Sequence, residues 1–148
     1  MIRALAITDA ARMVDIHAQS FHKGWDAEDM SAHIQKDLCF GFGRPLDGFI
    51  ILSSAADQAE ILTIAVDPSE RRRGIARALL DIAETELVDN GVDTLFLEVA
   101  EDNDAAIKFY KGAGFEPIGR RPAYYKREMG RVAAITYRKR LAANDRLG

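Results

Sequence analysis

Apolar and polar positions follow two different rhythms along this chain. Ala76, Leu79, Leu80, Ala83 and Leu87 keep the i, i+3, i+4 spacing of a helix with one buried stripe. Asn90-Gly91 follows, and a glycine there supplies the left-handed residue that ends such a helix. On either side lie the apolar runs Ile61-Leu62-Thr63-Ile64-Ala65-Val66 and Thr94-Leu95-Phe96-Leu97-Glu98-Val99, which read as strands. This strand–helix–strand order predicts two parallel neighbours joined by a right-handed crossover.

The other segments are shorter. Thr8-Asp9 predicts the cap of a helix over residues 10–20, with Met13, Ile16 and His17 or Phe21 facing inward. Phe21 to Trp25 reads as a loop. Asp26 then caps a second helix through Met30 and Ile34 to about Lys36, with Glu28 and Asp29 favourable beside its positive end. Residues 38–42 and 48–54 form short β runs joined by Gly43-Arg44-Pro45-Leu46-Asp47, and residues 55–58 turn into the strand ending at Val66. A helix over 104–113 has Ala106, Phe109, Tyr110 and Ala113 on one face and Gly114 at its end. Residues 115–119 and 132–140 are predicted as strands around a loop holding Pro122, Tyr124, Tyr125 and Gly130. These runs look antiparallel, and no repeat or internal boundary interrupts them.

A chain of 148 residues is expected as one domain over 1–148, ending in a flexible tail from about residue 142. The first residues lack a signal-peptide pattern, no apolar run approaches a membrane span, and the single Cys39 fits a reducing compartment. Cytoplasmic localisation without membrane association is the expectation, as a monomer or homodimer. The net charge of −3 argues against general nucleic-acid binding. Basic residues concentrate from Gly119 onward, at Arg120, Arg121, Lys126, Arg127, Arg131, Arg138, Lys139, Arg140 and Arg146. They fit either an acidic partner or a solvated face, and the solvated face is favoured because acids elsewhere outnumber the excess.

The loop Asp67-Pro68-Ser69-Glu70-Arg71-Arg72-Arg73-Gly74-Ile75-Ala76 joins the apolar strand to the patterned helix. Small residues at Gly74 and Ala76 let a ligand approach the backbone. The orphan N–H groups of the first helical turn carry partial positive charge, which suits a phosphate or pyrophosphate. The spacing is neither a Walker loop nor a dinucleotide fingerprint. By itself it also fits a polar surface turn that opens a helix.

Three features in order, Arg71-x-x-Gly74-x-Ala76, Leu97-Glu98-Val99 and Asn103-x-x-Ala106-x-x-x-Tyr110-x-x-x-Gly114-Phe115, resemble the GNAT superfamily of N-acetyltransferases. His17-x-x-x-Phe21 with Trp25, the pair Tyr124-Tyr125 and Gly130-Arg131 are similar to its RimI type, which acetylates the N-terminal alanine of a small-subunit ribosomal protein. The resemblance implies an α/β (α+β) fold: a mixed, mostly antiparallel sheet of six to seven strands with helices on both faces and a central parallel pair splayed at the cofactor site. It implies acetyl-CoA as co-substrate. Backbone groups of Ile64, Ala65 and Val66 would meet pantetheine, and those of Arg71, Arg72, Arg73, Gly74, Ile75 and Ala76 the pyrophosphate. Asn103 would meet the pantetheine from the far wall, although its position also suits a helix cap. Glu98 would be the base, through a water, and Tyr110 would face the departing thiolate. Phe21, Trp25, Glu98, Tyr124 and Tyr125 would line the acceptor site.

Each assignment has a plain structural alternative. Glu98 alternates with Leu97 and Val99 as any half-exposed strand residue does, and Tyr110 fits an apolar helix stripe. Trp25, Tyr124 and Tyr125 could equally cover the edge of the core. Cys39 reads as an inert core thiol. His17, His22 and His33 lack metal-ligand spacing, so no metal is expected. Deprotonating a lysine near neutral pH costs roughly 3 kcal/mol more than deprotonating an α-amine, so one Glu with a water suits the end of a peptide better. An acetyltransferase for small amines and a non-catalytic acetyl-CoA sensor remain the competing functions. A pure binder needs neither Glu98 nor Tyr110.

Overall fold

A computed structural model of the chain describes residues 1–19, 25–71 and 73–141. Its strands are β1 (Ile2–Ala4), β2 (Leu38–Phe42), β3 (Gly48–Ala55), β4 (Gln58–Val66), β5 (Thr94–Ala100), β6 (Glu116–Arg127) and β7 (Gly130–Arg140). Its helices are α1 (Ala10–Ala18), α2 (Ala27–Lys36), α3 (Ile75–Asp89) and α4 (Asp104–Gly112). The strands make one sheet in the order β1-β2-β3-β4-β5-β7-β6. Only β4 and β5 run parallel, joined through α3; every other pairing is antiparallel.

Helices cover both faces of this sheet. Phe49, Ile50, Ile51 and Leu52 are all fully buried, because β3 is central and its alternate side chains enter two different cores. Ile50 and Leu52 pack with Leu79, Leu80, Ala83 and Leu87 of the predicted α3 stripe. Phe49 and Ile51 pack with Met13 and Ile16 of α1 and Met30 of α2. The Asp26 cap forms as expected: its carboxylate accepts from Asp29 N at 2.8 Å, and Asp29 accepts from Asp26 N at 3.1 Å. Asn103 caps α4 by accepting from Ala106 N at 3.2 Å.

Two irregularities shape the centre. Ile51 pairs with Thr63 and Leu52 with Ile61, so Leu62 is an extra residue, a bulge. It switches which side chains face α3: Ala59 and Ile61 before it, Ile64 and Val66 after it. β4 and β5 pair only at Gln58↔Thr94, Ala59↔Leu95 and Glu60↔Phe96. Beyond those three pairs β4 keeps β3 as its partner and β5 keeps β7. The sheet therefore opens between its two parallel strands, as the resemblance implies.

Three expectations need correction. Asp9 does not cap α1; it ends a 3-10 turn, Ile7–Asp9, and makes no side-chain cap bond. Its carboxylate instead accepts from Arg3 and Ala6 N, and the Arg3 guanidinium lowers its pKa. Arg3 belongs to β1, an edge strand that the sequence pattern did not reveal. The predicted loop around Pro122, Tyr124 and Tyr125 is part of β6, and β7 begins at Gly130. Arg121 pairs with Ala134 and Tyr125 with Val132, so Pro122, Ala123 and Tyr124 bulge opposite Ala133. A proline without an N–H is tolerated at such a break, and Ala123 takes φ 53° there.

Candidate active site

The strand-to-helix loop is braced before it reaches the helix. Asp67 accepts from Ser69 N at 2.9 Å and is paired with Arg12 of α1. The Ser69 N–H, followed by Arg12, holds the Asp67 carboxyl down to about 2. Arg73 pairs with Glu70; Arg72 lies outside the described residues. Gly74 begins α3 at φ 76°, with no side-chain cap on the helix and no acidic residue in its first turn. A Cβ built on Gly74 would meet nothing within 4 Å. The end of α3 thus presents uncapped N–H groups beside open space, which fits an anionic pyrophosphate. Ile75 is buried in the core, so only its backbone is available to a ligand. Ala65 is buried towards α1, and Ile64 and Val66 pack towards α3.

β5 divides the two catalytic candidates. Leu97 and Val99 face α3 and α4, which sends Glu98 to the opposite face. There it borders an open depression of about 360 Å³ with Ser53, Gln58, Glu60, Phe96 and Thr136. Glu98 Oε2 forms an ion pair with Arg121, whose Nε lies 2.8 Å away, and accepts from Thr136 Oγ1 at 3.3 Å. Tyr110 lies on the α4 side, 9 % exposed, with its ring edge-on to Phe109 and Phe115. Burial pushes its phenol well above the ordinary tyrosine value, so at neutral pH Tyr110 is a hydrogen-bond donor. Glu98 and Tyr110 do not touch. Glu98 borders the depression where β4 has separated from β5, and Tyr110 lies in the core on the other face of the sheet.

The aromatic candidates divide as well. Tyr124 and Tyr125 meet edge-on at 5.1 Å between centroids. Burial, followed by the charge of Glu98, raises the Tyr125 phenol, so this residue belongs to the Glu98 side. Trp25 is sandwiched between His17 and His33, at 4.9 Å and 4.7 Å, and packs on the α1–α2 core. Phe21 lies outside the described residues. Cys39 is half-buried, and burial with the nearby Asp37 pushes its thiol up to about 12, as an inert thiol requires. Among the described residues no His, Cys, Asp and Glu group is arranged to hold a metal, and no helix is long and apolar enough to cross a membrane.

Arg121 and Thr136 did not emerge from the sequence as site residues. Their signal is the strand register, Glu98↔Thr136 across β5–β7 and Arg121↔Ala134 across β6–β7, which fixes the side chains that share a face with Glu98. The basic excess beyond Gly119 is mostly paired: Arg120–Glu101, Arg121–Glu98, Arg127–Asp102, Arg138–Glu116 and Lys139–Glu84.

Residues 10–115 match the model of the Acetyltransferase (GNAT) family. The chain belongs to this family. It is an N-acetyltransferase that uses acetyl-CoA as acyl donor. Among its relatives, the [Ribosomal protein bS18]-alanine N-acetyltransferase of Escherichia coli K12 is 34% identical over 90% of this chain and 93% of that one. The N-alpha-acetyltransferase RimI of Mycobacterium tuberculosis is 46% identical over 84% of each. The crystal structure of the Escherichia coli ribosomal-protein-S18-alanine N-acetyltransferase superposes with a TM-score of 0.87 at 32% identity, over 95% of this chain and 93% of that one. In this GNAT chain the strands β4 and β5 part beyond three pairs, the α3 end carries no side-chain cap, and an open depression borders Glu98.

Proposed function

We propose that this enzyme acetylates the N-terminal α-amine of a protein, with alanine as first residue and a ribosomal protein as the natural acceptor. The observation that carries this reading is the open depression at Glu98 where β4 parts from β5, with Tyr110 in the core on the opposite face of the sheet. The names of the similar enzymes from Escherichia coli and Mycobacterium tuberculosis support the acceptor class.

Backbone N–H groups from Arg71 to Ala76 hold the pyrophosphate, where the α3 dipole favours its charge. Backbone groups of Ile64, Ala65 and Val66 pair with pantetheine along the edge that β4 does not share with β5. Asn103, while capping α4, lines the far wall. The thioester enters the gap between the strands, so its carbonyl is reached from the Glu98 face and its sulfur from the Tyr110 face. Glu98 takes a proton from the acceptor ammonium through a water, and the freed amine attacks the carbonyl carbon. Collapse of the resulting oxyanion breaks the C–S bond, the nitrogen losing its extra proton to solvent, which reprotonates the released thiolate. Tyr110 then donates a hydrogen bond to sulfur as negative charge develops; full proton transfer from a tyrosine to a thiolate is uphill by roughly 2 kcal/mol even at ordinary values. Tyr124 and Tyr125 form one wall of the acceptor site, and Trp25 contributes to the other.

A mass-spectrometric screen with acetyl-CoA tests this reading. A peptide beginning with alanine should be acetylated at its α-amine much faster than the same peptide with a blocked end and a free lysine. Preferred acetylation of internal lysine, or of a polyamine over every peptide, contradicts the N-terminal acceptor and leaves the acetyltransferase activity standing.

A further inference from the structure

Glu98 has a cation on it already. Arg121 Nε lies 2.8 Å from Glu98 Oε2 in an ion pair, and the two side chains differ in freedom: Glu98 is 18% exposed and Arg121 58%. Thr136 Oγ1 reaches the same oxygen at 3.3 Å, so the sheet holds the carboxylate while the arginine reaches in from solvent. Arg121 is the last β6 residue before the bulge at Pro122. Its guanidinium carbon lies 4.9 Å from the centroid of the Tyr124 ring.

The hairpin does not depend on this contact for its position. Arg120 pairs with Glu101 at 3.1 Å. Arg127 grips Asp102 through two bonds of 2.8 Å and 3.0 Å, and Ala133 N donates to Glu101 at 3.3 Å. Three ties bind β6 and β7 to the end of β5 without Arg121. These ties of the hairpin persist if Arg121 swings away from Glu98.

An acceptor amine arrives as an ammonium, and it must approach the carboxylate that the guanidinium holds. Two cations beside one carboxylate repel each other. Exchange of one cation for the other leaves the charge count at the site unchanged, and the guanidinium can keep the Tyr124 ring contact it already makes at 4.9 Å when it gives up Glu98. Resting on the assignment of Glu98 as the base, we propose that Arg121 is a built-in placeholder for the acceptor. It occupies the Glu98 carboxylate in the resting enzyme, yields it to the incoming α-ammonium, and thereby raises the apparent KM for the acceptor. Arg121 is a positioning residue; its contact is with the base.

The test compares the parent, Arg121→Gln, Arg121→Lys and Glu98→Gln, with acetyl-CoA and a peptide beginning with alanine. Removing the placeholder should lower the peptide KM roughly two- to five-fold, the scale of an exposed ion pair, and leave the KM for acetyl-CoA at the parent value. Arg121→Lys keeps a cation and should return the peptide KM towards the parent. A peptide KM that is unchanged or raised in Arg121→Gln overturns the placeholder. Thermal melts confirm that each variant is folded, as expected for a half-exposed position. Lost turnover in Glu98→Gln with unchanged KM in Arg121→Gln sinks the placeholder alone; full turnover in Glu98→Gln sinks the base and the placeholder together.

Discussion

Substitution of Gly74 separates the strain of a backbone position from the binding of a phosphate. Gly74 adopts φ 76°, a region where a residue with a Cβ is destabilised by about 1–2 kcal/mol. Among the described residues beyond its chain neighbours, nothing lies within 4 Å of a Cβ built there, so Gly74→Ala and Gly74→Glu should incur chiefly this strain. In a domain of this size each 1 kcal/mol moves the melting point by roughly 2–4 °C. Both variants should therefore melt about 2–8 °C below the parent and remain folded. Only Gly74→Glu adds negative charge at the mouth of α3. A carboxylate about 7 Å from a doubly charged pyrophosphate, at an effective dielectric between about 80 and about 20, opposes binding by roughly 1–5 kcal/mol. Coenzyme A should bind Gly74→Glu at least about 5-fold more weakly, with Gly74→Ala between it and the parent. Isothermal titration calorimetry on the folded variants reads this directly. Parent-like affinity in Gly74→Glu, with the lowered melting point present, would refute the pyrophosphate site.

Tyr110→Phe keeps a ring that is 9 % exposed in the core and deletes only the hydroxyl, so the melting point should hardly move. Turnover should fall on the order of 10²-fold in a steady-state thiol-release assay, and a parent rate would return Tyr110 to core packing alone. His17 is 3% exposed, and burial depresses its imidazole to about 4, below the unfolded value of about 6.5. The unfolded chain binds this proton first, so the contribution of His17 is complete above about pH 6.5 and is lost as pH falls through about 4. Urea unfolding at about pH 7.5 and about pH 4.5 should show a larger acid loss in the parent than in His17→Leu; equal losses would count against the argument.

The elements legible in the sequence were those whose side chains report a single environment. The stripe Leu79, Leu80, Ala83 and Leu87 has one core to face, and it does so. Asp26 and Asn103 announce caps because their bonds are local, three residues away. β1 was missed because three residues, two half-exposed and one exposed, carry no period. The second half of β6 was missed because its side chains are mostly exposed on an edge strand and Pro122 reads as a loop until the bulge around it is seen. Site residues with family motifs, Gly74, Glu98, Asn103 and Tyr110, were legible as candidates. Arg121 was not, since its meeting with Glu98 depends on two strand registers and spans residues distant in sequence. The Leu62 bulge is invisible for the same reason: an apolar run buried on both faces shows no alternation to interrupt.

The most direct test of Glu98 as base is the pH dependence of acetyl transfer to a peptide beginning with alanine, in the parent and in Glu98→Gln. With saturating acetyl-CoA, the parent rate should rise with the neutral amine fraction and level off above about pH 8. Glu98→Gln should be slowest relative to the parent at low pH, where neutral amine is scarce, and should close much of the gap as pH rises past about 8. A ratio of parent to variant that stays flat across this range, or a variant as fast as the parent at low pH, would contradict the account.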